Sequence, residues 1–281
     1  MIPTIEDLGN AAPKKLRHRP KLTGRDRKIL ALLGEYGCVT ADRIKAYFWN
    51  SSAKSRAHYR RLGVLRRRGF IENVSGDRSM TIGYRLTKRG KEVWRKYSAA
   101  GIVPSVRRAY KTQFEHDQLL IDVRRILEES PLVREFRSEV EIRNRVMDGN
   151  AKLLHWENAP IIPDATFVFE VPGQRRRVAL ELELTPKAKR RYAKIFRSHL
   201  LAKDWSVVFY IVKDATFRDR LMKTLNDIKS TDLQVLVASK LNGIYFCTLD
   251  EFLSRRLAVP FTNGKKEISL EQIAQNFGLK P

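Results

Sequence analysis

Cysteine is nearly absent: Cys38 and Cys247 are the two in 281 residues. They lie far apart and neither has a CxxC partner, which excludes a zinc ribbon and a disulfide framework and fits a reducing compartment. No run approaches the ~18 apolar residues of a membrane-spanning helix. No charged-then-apolar leader opens the chain either, so the expected location is cytoplasmic and no membrane partner is expected. A Walker loop, a GxGxxG after a strand, an HExxH and a GxSxG are all missing, which leaves nucleotide hydrolysis and serine chemistry without support. Acidic residues are scarce, with 31 Asp and Glu against 55 Lys and Arg, for a net charge of +24.

What is present argues for a globular, polyanion-binding chain. Hydrophobic residues make up 43% and aromatics 9%, enough apolar surface to offset the entropy of folding. The length suits two domains. The basic excess is uneven: residues 1–110 hold 26 basic and 8 acidic residues, a net +18 of the total. A field that lopsided repels itself unless a polyanion screens it.

Residues 1–21 carry Pro3, Pro13, Pro20 and the cluster Lys14, Lys15, Arg17 and Arg19, which reads as a flexible basic arm. From Thr23 the pattern turns helical. Thr23 with Asp26 has the spacing of a capping box, and the helix that follows stops at Gly37. A second helix starts at Thr40, and a third, capped by Ser51-Ser52, places Tyr59, Leu62 and Leu65 at helical spacing and ends at Gly69. Phe70-Ile71 opens a strand, Ser75-Gly76-Asp77 turns it, and Thr81 to Leu86 returns as a hairpin. Thr87 then caps a fourth helix through Val93, Trp94 and Tyr97.

Three short helices, a two-stranded wing and a helix entered through "YRLTKRG" resemble the winged helix-turn-helix family, over residues 22–100. The resemblance implies double-stranded DNA as partner and the third helix as reader. Lys54, Arg56, His58, Arg60 and Arg61 lie off the expected apolar stripe, a set suited to phosphate contacts and bidentate readout of guanine. Arg78 at the wing tip is placed to reach an adjacent groove. The alternative is an ordinary solvated helix face, and winged helices also bind proteins.

Beyond a linker at Gly101, Pro104 and Ser105, elements alternate over residues 111–259, followed by a tail with a short helix at 260–281. The expected order is a helix over Phe114–Glu129, strands over Glu135–Arg145, Ile161–Val171 and Arg177–Leu184, and a helix from Pro186 to Leu201, capped by Thr185. Then come a strand over Ser206–Val212, a helix over Thr216–Ser230, strands over Leu233–Ala238 and Ile244–Cys247, and a helix capped by Thr248 and Glu251. Overall this is an α+β chain whose second part is an α/β sandwich with a mixed central sheet. Strand alternation puts Glu181, Glu183 and Thr185 on one face and Val178, Leu180, Leu182 and Leu184 on the other. With Asp164 nearby, the carboxylates repel one another, which a bound Mg²⁺ or Mn²⁺ would relieve. Such an ion activates water against a phosphodiester.

Pro163-Asp164-Ala165 followed by Glu181-Leu182-Glu183 resembles the PD-(D/E)xK nuclease superfamily, which implies a restriction-endonuclease-like fold with Asp164, Glu181 and Glu183 as catalytic residues and metal ligands. Glu183 stands where that motif has lysine, and Lys187 or Lys194 on the next helix is a candidate replacement. Lys187, Arg191 and Lys194 are expected to share a helix face fit for a DNA backbone. The alternatives are a relic site that binds without cutting, or an amphipathic strand. Across residues 22–215, the wing followed by "FEHDQLLIDVRRIL", "IIPDATFVFE" and "RVALELELTPKAKRRYAKIF" is similar to the replication-relaxation family of plasmids and other mobile elements. That likeness implies a role in plasmid replication, DNA relaxation or conjugative mobilisation, with other proteins of a replication or transfer complex as partners. No His-hydrophobic-His run of the relaxase kind accompanies it. His116 matches the histidine of that family's helix and is spaced with Leu119, Leu120 and Val123; it reads as a core histidine before a catalyst, and Asp117 and Asp122 read as solvated carboxylates before the helix-borne acid that some nucleases use. Three functions remain: a DNA-binding protein of a mobile element, a metal-dependent endonuclease or nickase, and a transcriptional regulator whose second domain dimerises the chain or senses a partner.

Overall fold

Helices begin where a side chain satisfies the orphan N–H groups of the first turn. The computed structural model describes residues 22–49, 56–75, 81–97, 111–147, 155–156, 159–160, 162–241 and 243–276. Thr23 Oγ1 accepts from Asp26 N (3.2 Å) and Asp26 Oδ2 accepts from Thr23 N (2.7 Å), opening α1 (Gly24–Tyr36) as the capping box predicts. The helix ends at Gly37, whose φ of 74° suits glycine. Thr40 Oγ1 accepts from Arg43 N to open α2 (Ala41–Phe48), and α3 (Ala57–Arg67) follows. The hairpin pairs β1 (Ile71–Ser75) with β2 (Thr81–Leu86), and Thr87 Oγ1 accepts from Gly90 N (3.0 Å) at the start of α4 (Lys88–Tyr97). The basic arm, the Ser51-Ser52 cap, Lys54, Arg78 and the linker lie outside the described residues.

The remainder forms a seven-stranded mixed sheet with helices. In chain order it holds α5 (Lys111–Glu128), β3 (Val133–Ser138), α6 (Glu139–Met147) and a small ladder of β4 (His155–Trp156) with β5 (Ala159–Pro160). Then come β6 (Ala165–Val171), β7 (Gln174–Glu183), α7 (Lys189–Leu201), β8 (Val207–Val212), α8 (Ala215–Thr231), α9 (Leu233–Leu241) and β9 (Gly243–Thr248). Finally α10 (Leu249–Arg255) leads to β10 (Phe261–Thr262), β11 (Glu267–Ile268) and α11 (Leu270–Asn276). The sheet order is β11-β10-β9-β8-β7-β6-β3, with β7, β8 and β9 parallel and the outer pairs antiparallel. Strand alternation separates two cores. Val178, Leu180 and Leu182 of β7 face α5 and α10, whereas Ala179 of β7 and Tyr210 of β8 pack with Tyr192 and Phe196 of α7 and Leu221 of α8.

Four expectations fail. Leu233–Ala238 is part of helix α9, not a strand: Asp232 Oδ1 accepts from Gln234 N and Val235 N, a cap hidden by the apolar run behind it. The long strand over Glu135–Arg145 stops at Ser138, whose Oγ accepts from Glu141 N (3.4 Å) to start α6; Arg143–Glu139 and Arg145–Glu141 then pair at helical spacing. Helix α7 starts at Lys189 rather than Pro186, and no side chain caps it. The segment read as a tail supplies β10 and β11 to the sheet as well as α11.

The helical N-terminal region is seated on α5 through polar contacts. Buried Gln118 donates to Cys38 O (2.8 Å) and accepts from Thr40 N (3.1 Å). Asp122 accepts from Arg43 Nε (3.0 Å) and Nη2 (2.8 Å), and Arg124 Nη1 donates to Glu35 (2.5 Å) with its guanidinium over the Phe136 ring. Asp122, read above as solvated, is thus an ion-pair partner across these elements. One apolar cluster runs from Ile29 and Leu62 through Ile121 to Leu180.

Candidate functional site

Two surfaces concentrate the polar chemistry: the outer face of α3 and a pocket at the C-terminal end of β7. The α3 sequence allows two apolar stripes, and the fold selects His58, Leu62 and Leu65, which are buried, over Tyr59, which is 48% exposed. His58 lies against Tyr59, ring centroids 4.0 Å apart, and against Trp49, so it is withdrawn from any groove. Arg61 is also withdrawn: its Nε donates to Asp26 Oδ1 (2.5 Å) and its Nη2 to Oδ2, which ties α3 to the fully buried capping carboxylate of α1. Arg56 and Arg60 stand exposed as the sequence predicts, joined by Arg66 and Arg67. The helix carries no acidic residue, and among the described residues these four arginines form no salt bridge.

In the second surface the fold brings Asp164, Glu181 and Glu183 around a pocket of about 340 Å³, together with His116, Glu139 and Lys187. Asp164 precedes β6, whose first residue Ala165 pairs with Leu180 of β7. Its Oδ2 accepts from Leu182 N (2.8 Å) and lies 3.2 Å from His116 Nε2. His116 belongs to this site rather than to the core: Nε2 is also 3.0 Å from Leu182 O, and Nδ1 is 3.4 Å from Asp117 Oδ1. Asp117 is buried and accepts from Gln113 as well, so it is not a solvated carboxylate. Glu181 Oε1 lies 2.9 Å from His199 Nε2 of α7. His199 Nδ1 has no partner among the described residues, which favours the tautomer with its proton on Nε2, donated to Glu181, because a bare lone pair costs less to bury than an N–H. Glu183 accepts from Lys187 Nζ and, at 3.3 Å, from Tyr192 Oη.

These partners set the charges. Burial works against the His116 cation, but Asp117 and Asp164 outweigh it and lift its pKa to about 10. Burial likewise opposes ionised Asp164, yet His116 and the Leu182 N–H hold its carboxyl below the usual range. Glu181 is pushed well above the carboxylate range, first by burial and then by the negative charges of Asp164 and Glu183. Burial raises Glu183, partly offset by Lys187, and drives His199 down to about 3. The pocket therefore sets the Asp164–His116 pair beside a carboxyl whose neutral form is favoured by burial and by its anionic neighbours, an arrangement suited to proton transfer.

The pocket does not fit a metal as its side chains stand. Each of the three carboxylates is held by a different internal donor, and among the described residues no group of three His, Cys, Asp or Glu side chains is arranged to hold an ion. Lys194 is exposed and does not line the pocket, so the lysine beside Glu183 is Lys187. Lys187 precedes α7, so it shares no helix face with exposed Arg191 and Lys194. Sequence reasoning missed His199. Its spacing with Tyr192 and Phe196 marks the buried face of α7, but nothing in the sequence names Glu181 as what it meets.

The strained acid can be tested directly. Glu181→Gln keeps an acceptor for His199 and removes a group whose folded pKa lies above its unfolded value of 4.5. The folded state binds more protons there, so wild-type stability falls as pH rises beyond that value. The variant should gain about 1–2 kcal/mol over wild type at about pH 8 and little at about pH 4, by thermal melting. An equal difference at both would show that the acid is not strained. Comparison of the chain with family models, with curated proteins and with solved structures finds no match in any of the three, so what these two surfaces do follows from their geometry and charge.

Proposed function

We propose that this protein binds double-stranded DNA through its helical N-terminal region, acting as a winged helix-turn-helix with α3 in the major groove. The observation that carries this reading is the outer face of α3, where Arg56, Arg60, Arg66 and Arg67 stand exposed without acidic partners among the described residues while the opposite face is buried. The order of three helices, hairpin and fourth helix supports it, as does the basic excess of residues 1–110. The likeness of "FEHDQLLIDVRRIL" and "RVALELELTPKAKRRYAKIF" to the replication-relaxation family adds a setting: replication, relaxation or mobilisation of a mobile element, in the bacterial cytoplasm, with the partner proteins such a complex implies. Affinity for a duplex should fall steeply with salt, with a slope of about −0.9 per neutralised phosphate. A flat titration would overturn the reading and point to a protein partner.

A second reading, metal-dependent cleavage by a restriction-endonuclease-like domain, is favoured by the convergence of Asp164, Glu181 and Glu183 on one pocket beside the mixed sheet. Mg²⁺ or Mn²⁺ would have to displace Lys187 from Glu183 and His116 from Asp164. Nicking of supercoiled DNA with Mn²⁺ that Glu181→Ala abolishes would establish this reading. DNA that binds and stays intact would leave the protein a binder.

A further inference from the structure

Among the described residues, three glycines sit in helices beyond the first residue: Gly34, Gly63 and Gly90. Two are required by packing inside the protein. A Cβ at Gly34 would lie 2.6 Å from Trp94 Cε2, and one at Gly90 would lie 1.9 Å from Phe70 O. Gly63, midway along α3, has no such reason among the described residues, where a Cβ would meet nothing closer than Arg67 Nη1 at 3.4 Å, the flexible end of a side chain. Its φ is not in the left-handed region either. Glycine in a helix interior costs stability relative to alanine, so a position where alanine fits calls for an explanation outside the chain.

The position of Gly63 supplies one. With 3.6 residues per turn, Arg56, Arg60, Gly63 and Arg67 fall at i, i+4, i+7 and i+11, along the middle of the face opposite His58, Leu62 and Leu65. The missing side chain leaves a half-buried notch beside the Arg67 guanidinium, with Arg60 one turn before it. We infer that Gly63 is a close-approach point, where duplex DNA lies against the α3 backbone between the guanidiniums of Arg60 and Arg67. This rests on the proposed DNA-binding reading and adds to it how deeply the helix seats. DNA fits the notch better than a protein surface because every charged side chain of α3 itself is a cation.

The test uses the full-length chain, a fluorescently labelled mixed-sequence duplex at low ionic strength, and thermal melting of the same samples. Gly63→Ala and Gly63→Gln should both raise the melting temperature, by about 2 °C or more for alanine. Duplex affinity should move the opposite way, falling a few-fold for alanine and about tenfold or more for glutamine. Better folding with weaker binding is an outcome that a purely structural glycine does not produce. If both variants bind as tightly as wild type while Arg56→Glu/Arg60→Glu loses binding, the close-approach inference fails and DNA binding by α3 stands. If the charge-reversed variant binds normally, the DNA reading fails and the inference fails with it.

Discussion

Reversing charge at Arg56 and Arg60 together should weaken duplex binding by about hundredfold or more near physiological salt, and should flatten the salt dependence by about one unit per lost phosphate contact. Arg56, at the N-cap of α3, and Arg60, within it, are both exposed, and the substitutions break no ion pair among the described residues. The melting temperature should therefore stay close to wild type, which separates lost contact from lost fold. The matched control reverses Lys223 and Lys229 on α8, equal in charge change but remote from α3 in the chain. Equal losses from the two double variants would show that net charge alone drives binding. In that case α3 has no special place in recognition.

Asp26→Ala should destabilise the protein by about 2–4 kcal/mol, read from chemical or thermal unfolding. Asp26 is fully buried, closes the capping box with Thr23, and receives two donors of Arg61. Truncation removes the Asp26 half of the capping box and leaves a guanidinium facing an empty site. The Arg61 side chain is 25% exposed and recovers some hydration, which keeps the loss below that of a wholly buried pair. The pH dependence follows from the sign of the shift. Burial opposes the Asp26 charge, but Arg61 and Thr23 overcome it and hold the folded pKa below 3.8. The stability this carboxylate contributes is present above 3.8 and is lost as pH falls through the folded pKa, so wild type and Asp26→Asn should converge in strong acid. A gap that persists there would mean that cap geometry, and not charge, carries the effect.

Arg61 and His58 show why a charged helix resists reading from sequence. Periodicity allows Tyr59 or His58 beside Leu62 and Leu65, and the choice is made by Trp49 and by the seat of α3 on α1. Arg61 is the same residue type as its neighbour Arg60, and only its nearness to Asp26, thirty-five residues earlier, takes it out of the exposed set. His116 fails for a related reason. Its spacing with Leu120 and Val123 is that of a helix face buried in the core, yet at the end of that face it meets Asp164 and the Leu182 carbonyl instead of apolar neighbours.

Local chemistry alone determined the caps at Thr23, Thr40, Thr87 and Thr248, the stop at Gly37, the hairpin, and the face alternation of β7, because each depends on residues a few positions apart. The tertiary structure decided which cations stay exposed, which carboxyl has its pKa held down and which has it pushed up, and that β10 and β11 extend the sheet. The physical reason is distance along the chain. Burial and charge pairing act between side chains that only folding brings within a few ångströms, and their energies exceed any local preference that spacing can reveal.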